Sequence, residues 1–183
     1  MSRTESILLG SGDIYAVLYT GTLPEISTIK VDGNKLGEVS GGATLEYKPT
    51  FYTAKSDNGK ANKTIITDEE ATLKSGLMTF TGNALAKLAD TATVTEDSTK
   101  GTRTLKIGGL GNMKQAKYAI VFHHTDLEAG DIDVVIVGQN QSGFSLTFAK
   151  DKETVIDAEF KCLPQDESGT LIQYIEYAPK SAA

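Results

Sequence analysis

Leu36-Gly-Glu-Val-Ser-Gly-Gly-Ala-Thr-Leu-Glu-Tyr47 is the stretch whose reading decides the fold. From Ala43 it alternates, with Ala43, Leu45 and Tyr47 on one side and Thr44, Glu46 and Lys48 on the other. That is the period of a strand with one face turned inward. Gly41 and Gly42 just before it predict a bend or bulge, because glycine alone takes the required dihedrals without strain. The same short, glycine-punctuated alternation returns in Gly143-Phe-Ser-Leu-Thr-Phe148 and Val155-Ile-Asp-Ala-Glu-Phe160.

Working outward, period-two alternation dominates the chain. Asp13–Thr20 carries Ile14, Ala16 and Leu18 on one face and Tyr15, Val17 and Tyr19 on the other, so it is expected to be covered on both sides. The segment 64–81 has mixed faces, and part of it is expected to lie against a neighbour. Further strands are expected at 102–107, 116–125, 131–137, 143–149, 154–163 and 170–177, with a tight turn at Asp151-Lys152. One helical stripe stands out, Leu85, Leu88 and Ala89 within Asn83–Asp90, with Gly82 or Asn83 as its cap. So short a helix must dock on a sheet. The expected fold is mainly β, an antiparallel β-sandwich or barrel with one short flanking α-helix.

The chain has 183 residues, which suits a single domain over 1–183 with flexible termini. A domain of this size buries roughly 70% of its unfolded surface and needs no disulfide or metal to fold. Cys162 is the one cysteine, and its strand-like neighbours predict a small buried hydrophobe. Net charge is -6 and the pI is near 5.0, against a general nucleic-acid binder, which presents excess lysine and arginine to phosphates. No apolar run is long enough to span a membrane and the N-terminus lacks a signal-peptide core. The chain is therefore expected to be made in a cytoplasm, and the sequons at Asn62 and Asn140 read as coincidence.

Candidate chemistry is sparse. His123-His124 would point to opposite faces of a strand and cannot easily share a metal, so one buried and one exposed histidine is the expectation. Gly108-Gly-Leu-Gly lacks the Gly-Lys-Ser/Thr ending of a phosphate loop. The pairs Glu69-Glu70 and Asp131/Asp133 resemble the paired acids of glycosidases only in composition, and a solvated strand edge explains them with less. No catalytic, cofactor or metal site is expected.

Two surface features remain. The segment Ala54–Lys63, with Lys55, Asp57, Asn58, Lys60 and Lys63, reads as a long, polar, net positive loop flanked by Phe51 and Tyr52. Charge is also segregated: Lys100, Arg103, Lys106, Lys114 and Lys117 occur without an acid between 100 and 117, whereas Asp126, Glu128, Asp131 and Asp133 occur without a lysine or arginine between 118 and 149. A positive edge, with Arg103 and Lys106, meeting a negative edge of the next copy would close a ring by head-to-tail contact.

The order and spacing of these pieces resemble the major tail-tube proteins of long-tailed bacteriophages. The pieces are Gly12-Asp-Ile-Tyr15, Gly37-Glu-Val-Ser-Gly-Gly-Ala43, Thr72-Leu-Lys-Ser-Gly-Leu77, the helix at 83–90, the strands 144–148 and 155–160, and Asp166-Glu-Ser-Gly-Thr-Leu171. The resemblance implies a virion structural protein, made in the host cytoplasm and resident in the tail. Six copies form a ring, and rings stack into a hollow tube that conducts DNA. It implies contacts with itself and with the tape-measure, distal-tail and terminator proteins. It further implies that the loop at 54–63 and the terminal arms bridge stacked rings. An acidic lumen lets DNA slide, and Glu69, Glu70, Asp131 and Asp133 are the expected lumen charges. Two alternatives stand beside it: the tube protein of a contractile injection or secretion system, and an adhesin or decoration-type binding β-sandwich.

Overall fold

The computed structural model describes residues 10–179; the termini expected to be flexible, and to act as arms between rings, lie outside the described residues. The main sheet is antiparallel and eight-stranded. Its strands are β1 (Asp13–Leu18), β2 (Lys35–Gly37), β3 (Val39–Lys55), β4 (Asn62–Leu77), β7 (Tyr118–His124), β8 (Ile132–Asn140), β9 (Ile156–Leu163) and β10 (Ile172–Glu176). A separate two-stranded ribbon pairs β5 (Thr93–Asp97) with β6 (Thr102–Lys106). The helices are α1 (Ile26–Ile29) and α2 (Gly82–Leu88). The fold is mainly β and antiparallel, as the alternation predicts.

Hydrogen-bonded neighbours run β2-β1-β7-β8-β9-β4-β3. The two ends of that path, β2 and β3, are one run of chain interrupted only at Glu38. The ends of the path are thus joined through the chain, β10 pairs β8 off the path, and the sheet curls around one core in a barrel-like form. Inward residues from every wall strand meet in one cluster: Ile14 and Ala16, Leu36, Leu73 and Leu77, Ile120, Ile136, and Ile156, Ala158, Phe160 and Cys162. Cys162 is the buried small hydrophobe its neighbours predict, and burial pushes its thiol up to about 11. Helix α2 adds Ala84, Leu85 and Leu88 to the same cluster. Its cap is Thr81, one residue before the expected Gly82, whose side chain accepts from the Ala84 N–H at 3.3 Å.

The other face of β1, β7 and β8 is also covered. Tyr15, Ala119, Val121 and Val135 pack with Ile29, Ile26 and Leu23 from the α1 region. This is the double coverage that the apolar faces of β1 require.

Glycines stand where the chain passes closest and where it bends. Gly37 passes so close to its neighbour that a Cβ there would lie 1.8 Å from the Thr79 carbonyl oxygen. Gly41 and Gly42, both at φ +77°, are the extra residues of the bulge expected before Ala43, where register passes from Ser40↔Gly76 to Ala43↔Ser75. Because two residues are added, the odd-numbered side chains of β3 keep facing inward on either side of the bend.

Three expectations fail. Gly143–Ala149 forms no strand, and no tight hairpin forms at Asp151-Lys152; both lie in irregular chain from 141 to 155. Phe144 and Leu146 do pack on the barrel core as an alternating segment would, but no ladder holds their backbone. The segment 54–63 is not a loop either. Its ends are the paired tips of β3 and β4, with Ala54↔Lys63 and Lys55↔Asn62 in register.

Candidate assembly surface

The feature that leaves the barrel is the β3–β4 hairpin. β9 pairs β4 only from Thr72 to Leu77. Beyond that point the hairpin is a two-stranded ribbon with both outer edges open, and every residue from Thr50 to Glu70 is exposed. At about 3.3 Å per residue the ribbon reaches roughly 30 Å from Glu46 to Lys55.

Parity shows what the ribbon presents. Leu73 and Ala71 are core residues of β4, and their partners across the ladder are Leu45 and Tyr47. That inward stripe continues out along β3 through Pro49 to Phe51. On β4 a second bulge intervenes: Thr50 pairs Asp68 but Phe51 pairs Ile66, so Thr67 is extra. One added residue reverses the parity of β4 beyond it. The result is an apolar pair on each face of the arm, Phe51–Ile66 on the continued core face and Tyr52–Ile65 on the other. These four side chains are 59, 50, 59 and 48% exposed respectively. An isolated two-stranded ribbon is marginal in water, and one that is apolar on both faces lacks the layer that would cover it.

Charge is arranged along the same ribbon. The tip is a turn closed by its own bonds: the Ser56 N–H donates to the Ala61 carbonyl at 2.9 Å and the Gly59 N–H to the Ser56 carbonyl at 2.8 Å. Asn58 Oδ1 accepts from Ser56 Oγ at 2.7 Å and from the Lys60 N–H at 3.1 Å. Asn58 therefore shapes the turn, while Lys55, Asp57, Lys60 and Lys63 stand around it, exposed and without an ion pair among the described residues. At the root Glu46 pairs Lys48 at 2.7 Å, which holds the Glu46 carboxyl below its ordinary range. Glu70 pairs Lys161 of β9 at 3.1 Å. Glu69 accepts from the Tyr47 hydroxyl, and that bond raises the phenol's pKa. Glu69 and Glu70 are thus surface charges at the root of the arm.

Asp131 and Asp133 are not surface charges, which corrects their assignment to a channel wall. Asp133 is fully buried. It accepts from Lys30 Nζ at 2.7 Å, from the Tyr177 hydroxyl at 2.7 Å and from His123 Nδ1 at 2.6 Å. The carboxylate therefore ties α1, β7, β8 and the end of β10 together, and burial followed by the bond to Asp133 pushes the Tyr177 phenol up to about 12. Asp131 is likewise buried. The histidines do face opposite sides, but neither is fully exposed: His124 is buried with Nδ1 2.7 Å from the Ser11 carbonyl, and His123 is spent on Asp133.

The basic edge is similarly reduced. Arg103 Nε donates to Glu96 at 2.7 Å within the β5–β6 ribbon, whereas Lys106 remains exposed at the end of β6. With Asp131 and Asp133 taken inside, the acid stretch 118–149 supplies less surface charge than its composition suggests. The site set expected from sequence thus divides into an arm (Lys55, Asp57, Asn58, Lys60, Lys63, Glu69, Glu70), a buried tie (Asp131, Asp133) and an isolated pair on the small ribbon (Arg103, Lys106). Sequence reasoning missed the apolar pairs of the arm.

Beside the Gly41–Gly42 bulge lies an open hollow of about 300 Å³ lined by Ser40, Thr44, Lys74, Asp157 and Glu159. Among the described residues no group of three or more His, Cys, Asp or Glu side chains is placed to hold a metal, and no helix is long and apolar enough to cross a membrane. A scan of known protein families and a search of curated proteins returned no match.

Proposed function

We propose that this chain is a self-assembling structural subunit whose copies build a hollow tube of stacked rings, the tail tube of a long-tailed bacteriophage, through which DNA passes without chemistry. The observation that carries the reading is the β3–β4 arm. The barrel projects about 30 Å of ribbon that bears one exposed apolar pair on each face and is open at both edges, a surface that a second protein chain would cover. The chain's own copies are the partners of the arm, and tape-measure, distal-tail and terminator proteins are the partners of the finished tube.

The acidic balance of the chain suits a conduit, since a net negative wall repels phosphate and lets DNA slide. The test is negative-stain electron microscopy of the purified protein over a concentration series, with size-exclusion chromatography alongside. Rings or uniform hollow tubes are expected. Deleting Ser56–Ala61 should leave a folded barrel that no longer forms long tubes, and tubes of unchanged length from that variant would refute the role of the arm.

A further inference from the structure

The arm is a charged ribbon with opposite signs at its two ends, and the separation of those signs says what it fits. Its tip carries Lys55, Lys60 and Lys63 against Asp57 alone, none of them ion-paired among the described residues. Its root carries Glu46, Asp68, Glu69 and Glu70 against Lys48. Of the root acids, Glu46 is matched by Lys48 and Glu70 by Lys161. Among the described residues Asp68 and Glu69 have no cationic partner, and Glu69 accepts from the Tyr47 hydroxyl. From Glu69 to Lys63 is six residues of extended chain, about 20 Å. That is more than twice the screening length of about 8 Å at physiological ionic strength. Tip and root therefore cannot neutralise one another within one chain, and each presents an uncompensated field to whatever approaches.

We infer that the tip of the arm in one copy docks on the root of the arm in the next, Lys55, Lys60 and Lys63 against Asp68 and Glu69. The inference rests on the building-block reading above and specifies the receiving surface. Partner and ribbon are complementary in two respects at once. The charges match in sign, and one of the two apolar pairs between tip and root, Phe51–Ile66 or Tyr52–Ile65 on opposite faces of the arm, comes to lie along the neighbour's Leu45, Tyr47 and Pro49 stripe. Leu45 and Tyr47 are 37 and 48% exposed in the single chain, so the receiving stripe is also uncovered. Repeated with the arms offset in one direction, such a contact is heterologous and generates a ring or a filament, whereas two antiparallel arms exchanging tip and root would close as a two-fold dimer. Glu69 then works between copies and not on a channel wall.

Reciprocal charge reversal tests this. One variant reverses the tip (Lys55→Glu, Lys60→Glu, Lys63→Glu) and the other the root (Asp68→Lys, Glu69→Lys). Both leave the barrel untouched, and a thermal melt checks that each still folds. Each variant alone places like charges at every contact, and its critical concentration for assembly should rise at least tenfold. An equimolar mixture of the two restores opposite signs at every tip-to-root contact if the copies alternate, so the mixture should co-assemble near the wild-type concentration. If the tip-reversed variant assembles like wild type, or if the mixture fails while the wild type assembles, the tip-to-root contact is wrong and the building-block reading stands. If the wild-type chain itself makes no ring or tube at any concentration, both fall.

Discussion

Replacing both Phe51 and Ile66 by serine separates what the arm does for the fold from what it would do between copies in the proposed assembly. In the single chain these side chains are 59 and 50% exposed, so roughly half of each remains to be buried by a partner. Full burial of a phenylalanine or isoleucine side chain is worth about 1.5–3 kcal/mol, so the pair leaves about 2–3 kcal/mol to be gained on assembly. At 1.4 kcal/mol per tenfold that is roughly a 30- to 150-fold increase in the critical concentration. The barrel should hardly notice. Neither residue touches the core cluster, and a cross-strand pair on an exposed ribbon contributes only about 0.2–1 kcal/mol locally. Critical concentration is read by pelleting and light scattering over a dilution series, with the melting curve of the dilute protein beside it. A double variant that melts earlier yet polymerises at the wild-type concentration would refute the reasoning, because the exposed pair would then belong to the fold.

Other consequences concern the barrel. Asp133→Asn leaves the Lys30 ammonium beside an uncharged amide at the same buried point, and urea titration should register a loss of about 2–3 kcal/mol, below the 3–5 typical of a wholly buried pair because Lys30 is 21% exposed. Gly37→Ala drives a Cβ into the Thr79 carbonyl and should abolish the folded state, whereas Gly41→Ala, at φ +77° in open space, should lower stability by only about 1 kcal/mol; circular dichroism melts of the two rank them, and equal effects would mean that the closure at Gly37 is not tight. Raised thiol and phenol pKa values fix the sign of an alkaline effect. The stabilisation linked to the protonated Cys162 is complete below its ordinary value of 9.0 and is lost as pH rises to about 11, with Tyr177 adding to the loss toward about 12. Stability measured against pH should therefore fall between 9 and 12, and a thiol reagent at pH 8 should label Cys162 only after denaturation.

The barrel was legible because its strands bury one face or both. Ile14 with Ala16 and Ile156 with Ala158 and Phe160 repeat at period two, and each lands in the same cluster. Closure was not legible, since it depends on β2 and β3 being one run that pairs a different neighbour on either side of Glu38, and pairing partners leave no trace in a local pattern. Gly143–Phe148 alternates as well as any true strand, yet forms none, although Phe144 and Leu146 reach the core as a strand's side chains would. Asp133 misled for a related reason: composition counts a carboxylate as surface charge, whereas Lys30, His123 and Tyr177, far apart in sequence, had already taken it inside.

The arm itself carried a signal that composition hid. Asn58-Gly59 is a hairpin-forming dipeptide, and Phe51-Tyr52 and Ile65-Ile66 stand at equal distances on either side of it. Mirror placement of two apolar dipeptides about a turn is what a ribbon with one apolar pair on each face requires, and a loop gives no reason for it. Reading 54–63 as a polar loop attended to the lysines and passed over the symmetry. The physical point extends beyond this hairpin. Alternation reports a strand with one buried face, so an element meant to be covered on both faces by a second copy breaks alternation. It looks irregular until its own pairing axis is found. The residues that break the rule, Tyr52 and Ile65, are then the ones the fold leaves exposed, and in the proposed assembly a surface supplied by another chain would cover them.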